Sequence, residues 1–164
     1  MKFEIDWHGQ EYLMEWLDNT DFESLENVIQ VYGFIFDENK RICVVDCSKG
    51  YWSLPGGGPE DYDKDFEDTL KREVDEEADL NIKNIRRVGC FRVTPLGDNC
   101  SRDVHYILRY VAEVDKIKKQ SIDPCNGKIN ERKFIEMDEF GDYIDWESGK
   151  FQLMKALKIL EKKG

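Results

Sequence analysis

Three glutamates, Glu73, Glu76 and Glu77, follow Arg72, a short way downstream of three consecutive glycines, Gly56 to Gly58. If the stretch is helical, at ~100° per residue, the three carboxylates fall within an arc of about 100°. Phe66, Leu70 and Val74 lie alongside them, so the acidic face borders an apolar stripe at the edge of a core. With nothing bound, this is an unfavourable arrangement. Like charges at these spacings cost about 0.2–0.5 kcal/mol per pair. The helix dipole disfavours anions in the last turns by a further ~0.3–1 kcal/mol each. Arg72 offsets part of the repulsion but cannot neutralise three groups. A hard divalent cation can, since Mg²⁺ takes carboxylate oxygens and completes its shell with water and substrate phosphates. Three glutamates alone fit an ordinary solvated helix face. The glycine loop, Arg72 and the apolar border together favour an ion site.

The elements that must position these residues can be read from periodicity. Phe3, Ile5 and Trp7 alternate, and Tyr12, Leu13, Trp16 and Leu17 then read as a short helix. Val28 to Phe36 is an apolar run of central-strand type. Asp37 to Lys40 is a turn, and Ile42 to Val45 the returning strand of a hairpin. The loop through Ser48 to Asp63 carries the glycines, and a helix is expected from Asp65 to Ala78. Ile85–Val93 and Val104–Val114 read as strands, the second lining one face with Tyr106, Leu108, Tyr110, Ala112 and Val114. Lys128–Ile135 is a further strand and Met137–Ile144 a short helix. A closing amphipathic helix carries Phe151, Met154, Leu157 and Leu160. Strands, helix, strands, helix in this irregular order predict an α+β fold, a mixed β-sheet with helices on its faces.

The chain has 164 residues with 24 basic against 35 acidic, a net charge of −11. Glu60 to Asp79 alone holds eleven acidic and three basic residues. This balance disfavours binding to a nucleic acid polymer, which depends on neutralising phosphates with Lys and Arg. No apolar run reaches the ~18 residues of a membrane helix. The opening MKFEIDWHGQEY lacks the apolar core of a secretory signal, so a cytoplasmic protein is expected. Cys43, Cys47, Cys90, Cys100 and Cys125 are odd in number and show no CxxC pairing. They read as reduced, mostly buried thiols, and neither they nor His8 and His105 supply a zinc site. A calcium loop of the D-x-D-x-D-G type is also absent.

Leu54-Pro55-Gly56-Gly57 leading to Arg72-Glu73-Val74-x-Glu76-Glu77 and Leu80 resembles the Nudix box of the Nudix hydrolases. Two positions depart from it. The loop-side glutamate is replaced by Asp63 or Lys64, with one extra residue before Arg72, and the late glycine is Asp79. The resemblance implies an α/β/α sandwich, here a single domain over residues 1–164 with 1–27 as an N-terminal extension. It implies that Glu73, Glu76, Glu77 and the Gly56 carbonyl hold Mg²⁺ or Mn²⁺, and that Arg72 orients the glutamates by an ion pair. The metals would bridge a diphosphate and acidify a bound water. Glu73 is the first candidate for general base. Glu131, before Phe134, is the second, with an ordinary surface strand residue as the alternative.

Lys49 and Arg92 are candidates for phosphate contacts, against the simpler reading of solvated cations. Trp52 could stack on a base or pack beneath the loop. Pro95 resembles a proline found downstream of the box in ADP-ribose-cleaving members, although loops favour proline for turn geometry anyway. The expected activity is metal-dependent pyrophosphohydrolysis of a small-molecule nucleotide. The substrate would be a nucleoside diphosphate linked to another group, such as ADP-ribose, or a nucleoside triphosphate. The alternative is a non-catalytic nucleotide-binding or regulatory module of the same fold. The aromatic N-terminal segment offers a surface for a homodimer.

Overall fold

The computed structural model describes residues 1–47, 50–98 and 102–162. Nine strands form one mixed sheet: β1 (Lys2–Trp7), β2 (Gln10–Leu17), β3 (Val28–Phe36), β4 (Ile42–Asp46), β5 (Trp52–Ser53), β6 (Gly56–Gly57), β7 (Leu80–Pro95), β8 (His105–Ile117) and β9 (Glu131–Ile135). Among the described residues, three α-helices accompany them: α1 (Phe66–Ala78), α2 (Phe140–Tyr143) and α3 (Gly149–Glu161). The strand order is β1-β2-β7-β8-β3-β4-β5, with β6 paired to β3 and β9 to β4. β3 and β8 run parallel, and the remaining pairs are antiparallel.

Alternation along β3 sorts the core into two layers. Val31 and Ile35 face one side with Leu70, Val74 and Ala78 of α1. Phe34 and Phe36 face the other with Phe140 of α2 and Leu153 and Ala156 of α3. Leu108, Tyr110 and Ala112 of β8 join the α1 side, as their two-residue period requires. The result is an α/β/α sandwich. No helix among the described residues is long and apolar enough to cross a membrane.

Several local expectations are corrected. Tyr12 to Leu17 is strand β2, not a helix. Tyr12, Met14 and Trp16 alternate into the core, and the strand is bonded on both edges, by β1 and β7. Spacing within one segment cannot reveal partners eighty residues away. The β3–β4 hairpin pairs only at Phe36–Ile42, after which β4 turns to β9 and β5. Strand β9 starts at Glu131, not Lys128. The Met137–Ile144 helix is a 3₁₀ turn followed by the single turn of α2.

Helix α3 forms as expected, but it buries Gln152, Leu153 and Ala156 and leaves Met154 51% exposed. A row of i, i+3 residues drifts by about 60° per step, so Phe151, Met154, Leu157 and Leu160 cannot share one face. The four described cysteines are all free: Cys43 and Cys90 are buried, Cys47 is half-buried and Cys125 is exposed. Cys100 lies outside the described residues.

Candidate active site

The site sits where the glycine loop crosses the sheet and enters α1. Gly56 and Gly57 pair antiparallel with Tyr32 and Val31 of β3. A Cβ on Gly56 would strike the Val31 carbonyl and the Tyr32 backbone, and one on Gly57 would overlap the Glu73 carboxyl group. Both positions therefore need glycine because of close approach, not because of a special turn. The helix starts cleanly, since the Asp65 carboxylate caps it by accepting from the Asp68 amide at 2.7 Å.

Arg72 joins the loop to the helix face. Nε donates to Asp63 Oδ1 at 3.0 Å and Nη2 to Asp63 Oδ2 at 2.9 Å. Nη2 also donates to the Gly58 carbonyl at 3.0 Å. Nη1 donates to Glu73 Oε1 at 2.9 Å and lies 3.7 Å from Glu76 Oε2. The exposed Tyr62 ring covers the guanidinium at 5.6 Å. Asp63 further accepts from the Glu60 amide and the Thr69 hydroxyl. The Arg72 hydrogen bonds come first among the causes that hold its carboxyl down at about 2. Asp63, not Lys64, thus takes the loop-side acidic position.

The three helix glutamates behave in the opposite sense. Burial raises the pKa of Glu73 and Glu76. Glu77 is pushed up to about 8, first by burial and then by the charge of Glu73, against the Gly56 amide and the Cys47 thiol that donate to it. The Gly56 N–H reaches Glu77 Oε2 at 3.3 Å. The charge of Asp123 also raises all three. Asp123 is a buried carboxylate in the segment between β8 and β9, held by the Asn130 side-chain amide at 2.7 Å and the Cys125 amide at 2.8 Å.

The donor set is all hard oxygen and carries more negative charge than Arg72 offsets, which fits a divalent cation. Among the described residues no group of three His, Cys, Asp or Glu side chains is closed into a ligand set. Glu73 is turned onto Arg72 and Glu77 onto Gly56, each through one carboxylate oxygen, and a carboxylate has further acceptor sites with which to take up an ion.

The structure brings Gly56, Arg72, Glu73, Glu76 and Glu77 together, while Glu131, Trp52 and Arg92 make other contacts. Glu131 is exposed at the start of β9, opposite Asp46. Trp52 is half-buried, edge-on to Tyr143 at 5.4 Å and covered by Lys133. Arg92 donates to both Glu15 oxygens at 3.1 Å across the β2–β7 pairing. Lys49 lies outside the described residues. Asp123 and Cys47 are not singled out by the sequence; no local spacing ties either to α1.

The helix ends at Asp79, which adopts left-handed geometry with φ 52° and ψ 45°. Its carboxylate accepts from the Ser121 amide at 3.0 Å and the Ser121 hydroxyl at 2.6 Å. Asp tolerates this region better than most side chains, and the two bonds tie the end of α1 to the segment carrying Asp123.

Residues 26–157 match the family model described as the NUDIX domain. A comparison by sequence with curated proteins gives no match. Among solved structures, the chain resembles a mutant form of the Bacillus subtilis pyrophosphohydrolase BsRppH, with TM-score 0.70, 19% identity, and 97% of this chain and 98% of that one covered. It also resembles an ADP-ribose pyrophosphatase from Streptococcus suis, with TM-score 0.56, 23% identity and coverage of 82% and 92%. A third likeness is to the NUDIX domain of Shewanella oneidensis NrtR complexed with ADP ribose, at TM-score 0.59, 18% identity and coverage of 87% and 94%. At these identities the likenesses show the shared fold. The family model spans most of the chain and includes the glycine loop and the glutamate helix, and on that ground the chain belongs to the NUDIX family and is a hydrolase of the Nudix type.

Proposed function

We propose that the protein is a Mg²⁺- or Mn²⁺-dependent pyrophosphohydrolase acting on a nucleoside diphosphate linked to another group, or on a nucleoside triphosphate. The observation that carries this is Glu77, a half-buried carboxylate against the Gly56 amide, with Glu73 beside it and, among the described residues, Arg72 as the cation paired with the cluster. Burying so much like charge is costly unless a cation joins it. Glu73, Glu76, Glu77 and the Gly56 carbonyl would hold the ion. When bound, it neutralises the diphosphate and makes a water more acidic. Arg72 would keep Glu73 in place through its grip on Asp63. Glu73 would accept the proton of the attacking water, with Glu131 as the second candidate. Lys49, Trp52 and Arg92 enter this reading as substrate contacts, and the cytoplasm as the site of action, which the free thiols support. It also treats the chain as one domain with 1–27 as an extension. A homodimer through the exposed Trp7 end of the β1–β2 hairpin belongs to the same reading.

The test is incubation with a nucleotide panel and Mg²⁺, with products identified by mass. Release of a nucleoside monophosphate and a second phosphorylated product is expected. Glu76→Gln or Glu77→Gln should reduce turnover by orders of magnitude while leaving the fold intact. Full turnover in excess chelator, or by the double variant, would refute the proposal. Tight nucleotide binding without product would instead make the chain a binding module.

A further inference from the structure

On the side of the sheet away from α1 lies a cavity of about 280 Å³ that the proposed chemistry does not use. Phe3 and Ile5 of β1, Tyr32 of β3 and Trp146 help to wall it, and Arg109 of β8 lines it. Arg109 alternates with Leu108 and Tyr110, which face α1, so it lies on the opposite side of the sheet. It is only 5% exposed.

Its guanidinium lies 4.9 Å from the ring centre of Tyr32 and 4.9 Å from that of Trp146. Nε donates to Gln152 Oε1 at 2.6 Å and Nη1 to the Leu108 carbonyl at 3.2 Å. Gln152 is itself fixed by donating to Ser148 Oγ at 2.8 Å. Nη2 has no acceptor and the group no carboxylate partner among the described residues. A buried cation is expensive without a partner. Two aromatic faces offset part of that cost and fix the plane of the donors, but they accept no N–H bond in that plane.

The geometry points to a base pocket in which Arg109 donates to the carbonyl edge of a nucleobase, selecting an oxopurine over adenine. The inference rests on the proposed nucleotide chemistry of the glutamate site. Tyr32 forms a cavity wall and pairs in register with Gly56, whose amide holds Glu77. Tyr32 also feels the charges of Glu77 and Glu73, and on this inference it is by way of Tyr32 that a substrate with its diphosphate at the glutamates reaches this cavity with its next group.

A phosphate is the poorer occupant. The described lining holds a single cation, its walls are largely apolar and aromatic, and Glu147 lies among them. An uncharged planar ring suits those walls. Guanine presents O6 and N7 as adjacent acceptors to an arginine, whereas adenine puts an amino donor where O6 would be.

The test is calorimetric titration of metal-free protein with GMP, IMP and AMP, none of which carries a diphosphate to hydrolyse. GMP and IMP should bind about tenfold tighter than AMP, the scale of one good arginine–base contact. Arg109→Gln should bring the three within about twofold of one another. Arg109→Lys, which keeps the charge and loses the planar fork, should also lose most of the preference. Equal binding of the three nucleotides by wild type would overturn the inference without reference to any variant. So would equal weakening of all three in Arg109→Gln with full retention in Arg109→Lys, since that pattern marks a charge holding the phosphate. Because nothing is cleaved, base preference without turnover on the nucleotide panel would leave this pocket standing and sink the proposed function. Turnover without base preference would do the reverse.

Discussion

Arg72 meets Asp63 edge to edge, Nε to Oδ1 at 3.0 Å and Nη2 to Oδ2 at 2.9 Å, while its remaining arm holds Glu73. A flat guanidinium can do this because its donors form a rigid fork. The pair is largely removed from solvent, the Arg72 side chain 17% and that of Asp63 6% exposed. One ion pair thus fixes the glycine loop, the first turns of α1 and the first of the three glutamates.

Asp63→Asn keeps the shape and removes the charge. Breaking a buried pair on one side costs about 3–5 kcal/mol; because asparagine still accepts one bond, a loss of about 3 kcal/mol at neutral pH is expected. The folded carboxyl lies at about 2 against an ordinary 3.8. A depressed acid contributes its full stabilisation above its unfolded value, and the contribution is lost as pH falls through the folded one. Wild type should therefore lose stability between about pH 4 and pH 2, and Asp63→Asn should lose less over that window. Chemical denaturation at several pH values measures both, and superimposable curves for the two proteins would contradict the assignment.

Glu77 reverses the sign. Its carboxyl is pushed up to about 8 from an ordinary 4.5 by burial first and Glu73 second. Between those values the folded metal-free protein binds more protons than the unfolded chain, so stability should fall as pH rises from about 4.5 to about 8. Glu77→Gln should flatten this decline and melt higher than wild type at pH 8 without metal, yet lose activity by orders of magnitude. Saturating Mg²⁺ should raise the melting temperature of wild type and leave the variant nearly unmoved. Equal pH profiles for the two metal-free proteins would show that Glu77 is not the group under strain.

Gly57→Ala tests the close approach of loop to helix. The added methyl overlaps the Glu73 carboxyl group, which is the end of a flexible side chain and can move. A modest stability loss, about 1 kcal/mol, should accompany a much larger fall in turnover. Gly56→Ala meets the fixed Val31 carbonyl instead and should destabilise the fold by more. Thermal melts with parallel rate measurements separate the two effects, and wild-type turnover by the Gly57→Ala variant would detach Glu73 from catalysis.

The glutamate face is legible in the sequence because helical spacing is local: residues 73, 76 and 77 share a face whatever the rest of the chain does. Val28–Phe36 is legible for a similar reason, an apolar run broken only by Gln30 and Gly33, with Phe34 to Phe36 buried on both faces. Strand β2 is not, because Tyr12 to Leu17 fits a helical spacing as well as an alternating one and its partners, β7 among them, come from elsewhere in the chain. The choice between Asp63 and Lys64 depends on the path of the loop, which glycines leave undetermined. Asp123 reaches the site only because the segment after β8 folds back to Asp79, and Arg109 reads simply as one polar break in an alternating strand.

Asp79 stands where the Nudix pattern has glycine, and restoring that glycine sets two effects against each other. A side chain in left-handed geometry costs about 1–2 kcal/mol, which Asp79→Gly would recover. Against this, the carboxylate accepts two hydrogen bonds from Ser121, and bonds to a charged group contribute about 1.5–3 kcal/mol each. The bonds outweigh the strain, so Asp79→Gly should destabilise the protein by about 1–5 kcal/mol despite matching the pattern better. Asp79→Asn, which tolerates the same backbone and still accepts a bond, should fall between the two. Hydrogen exchange should locate the loosening in residues 118–130, and with Asp123 less firmly placed, the pH-dependent decline due to Glu77 should become shallower. A stabilised Asp79→Gly variant would mean that the backbone strain dominates and that Ser121 contributes little to anchoring the segment.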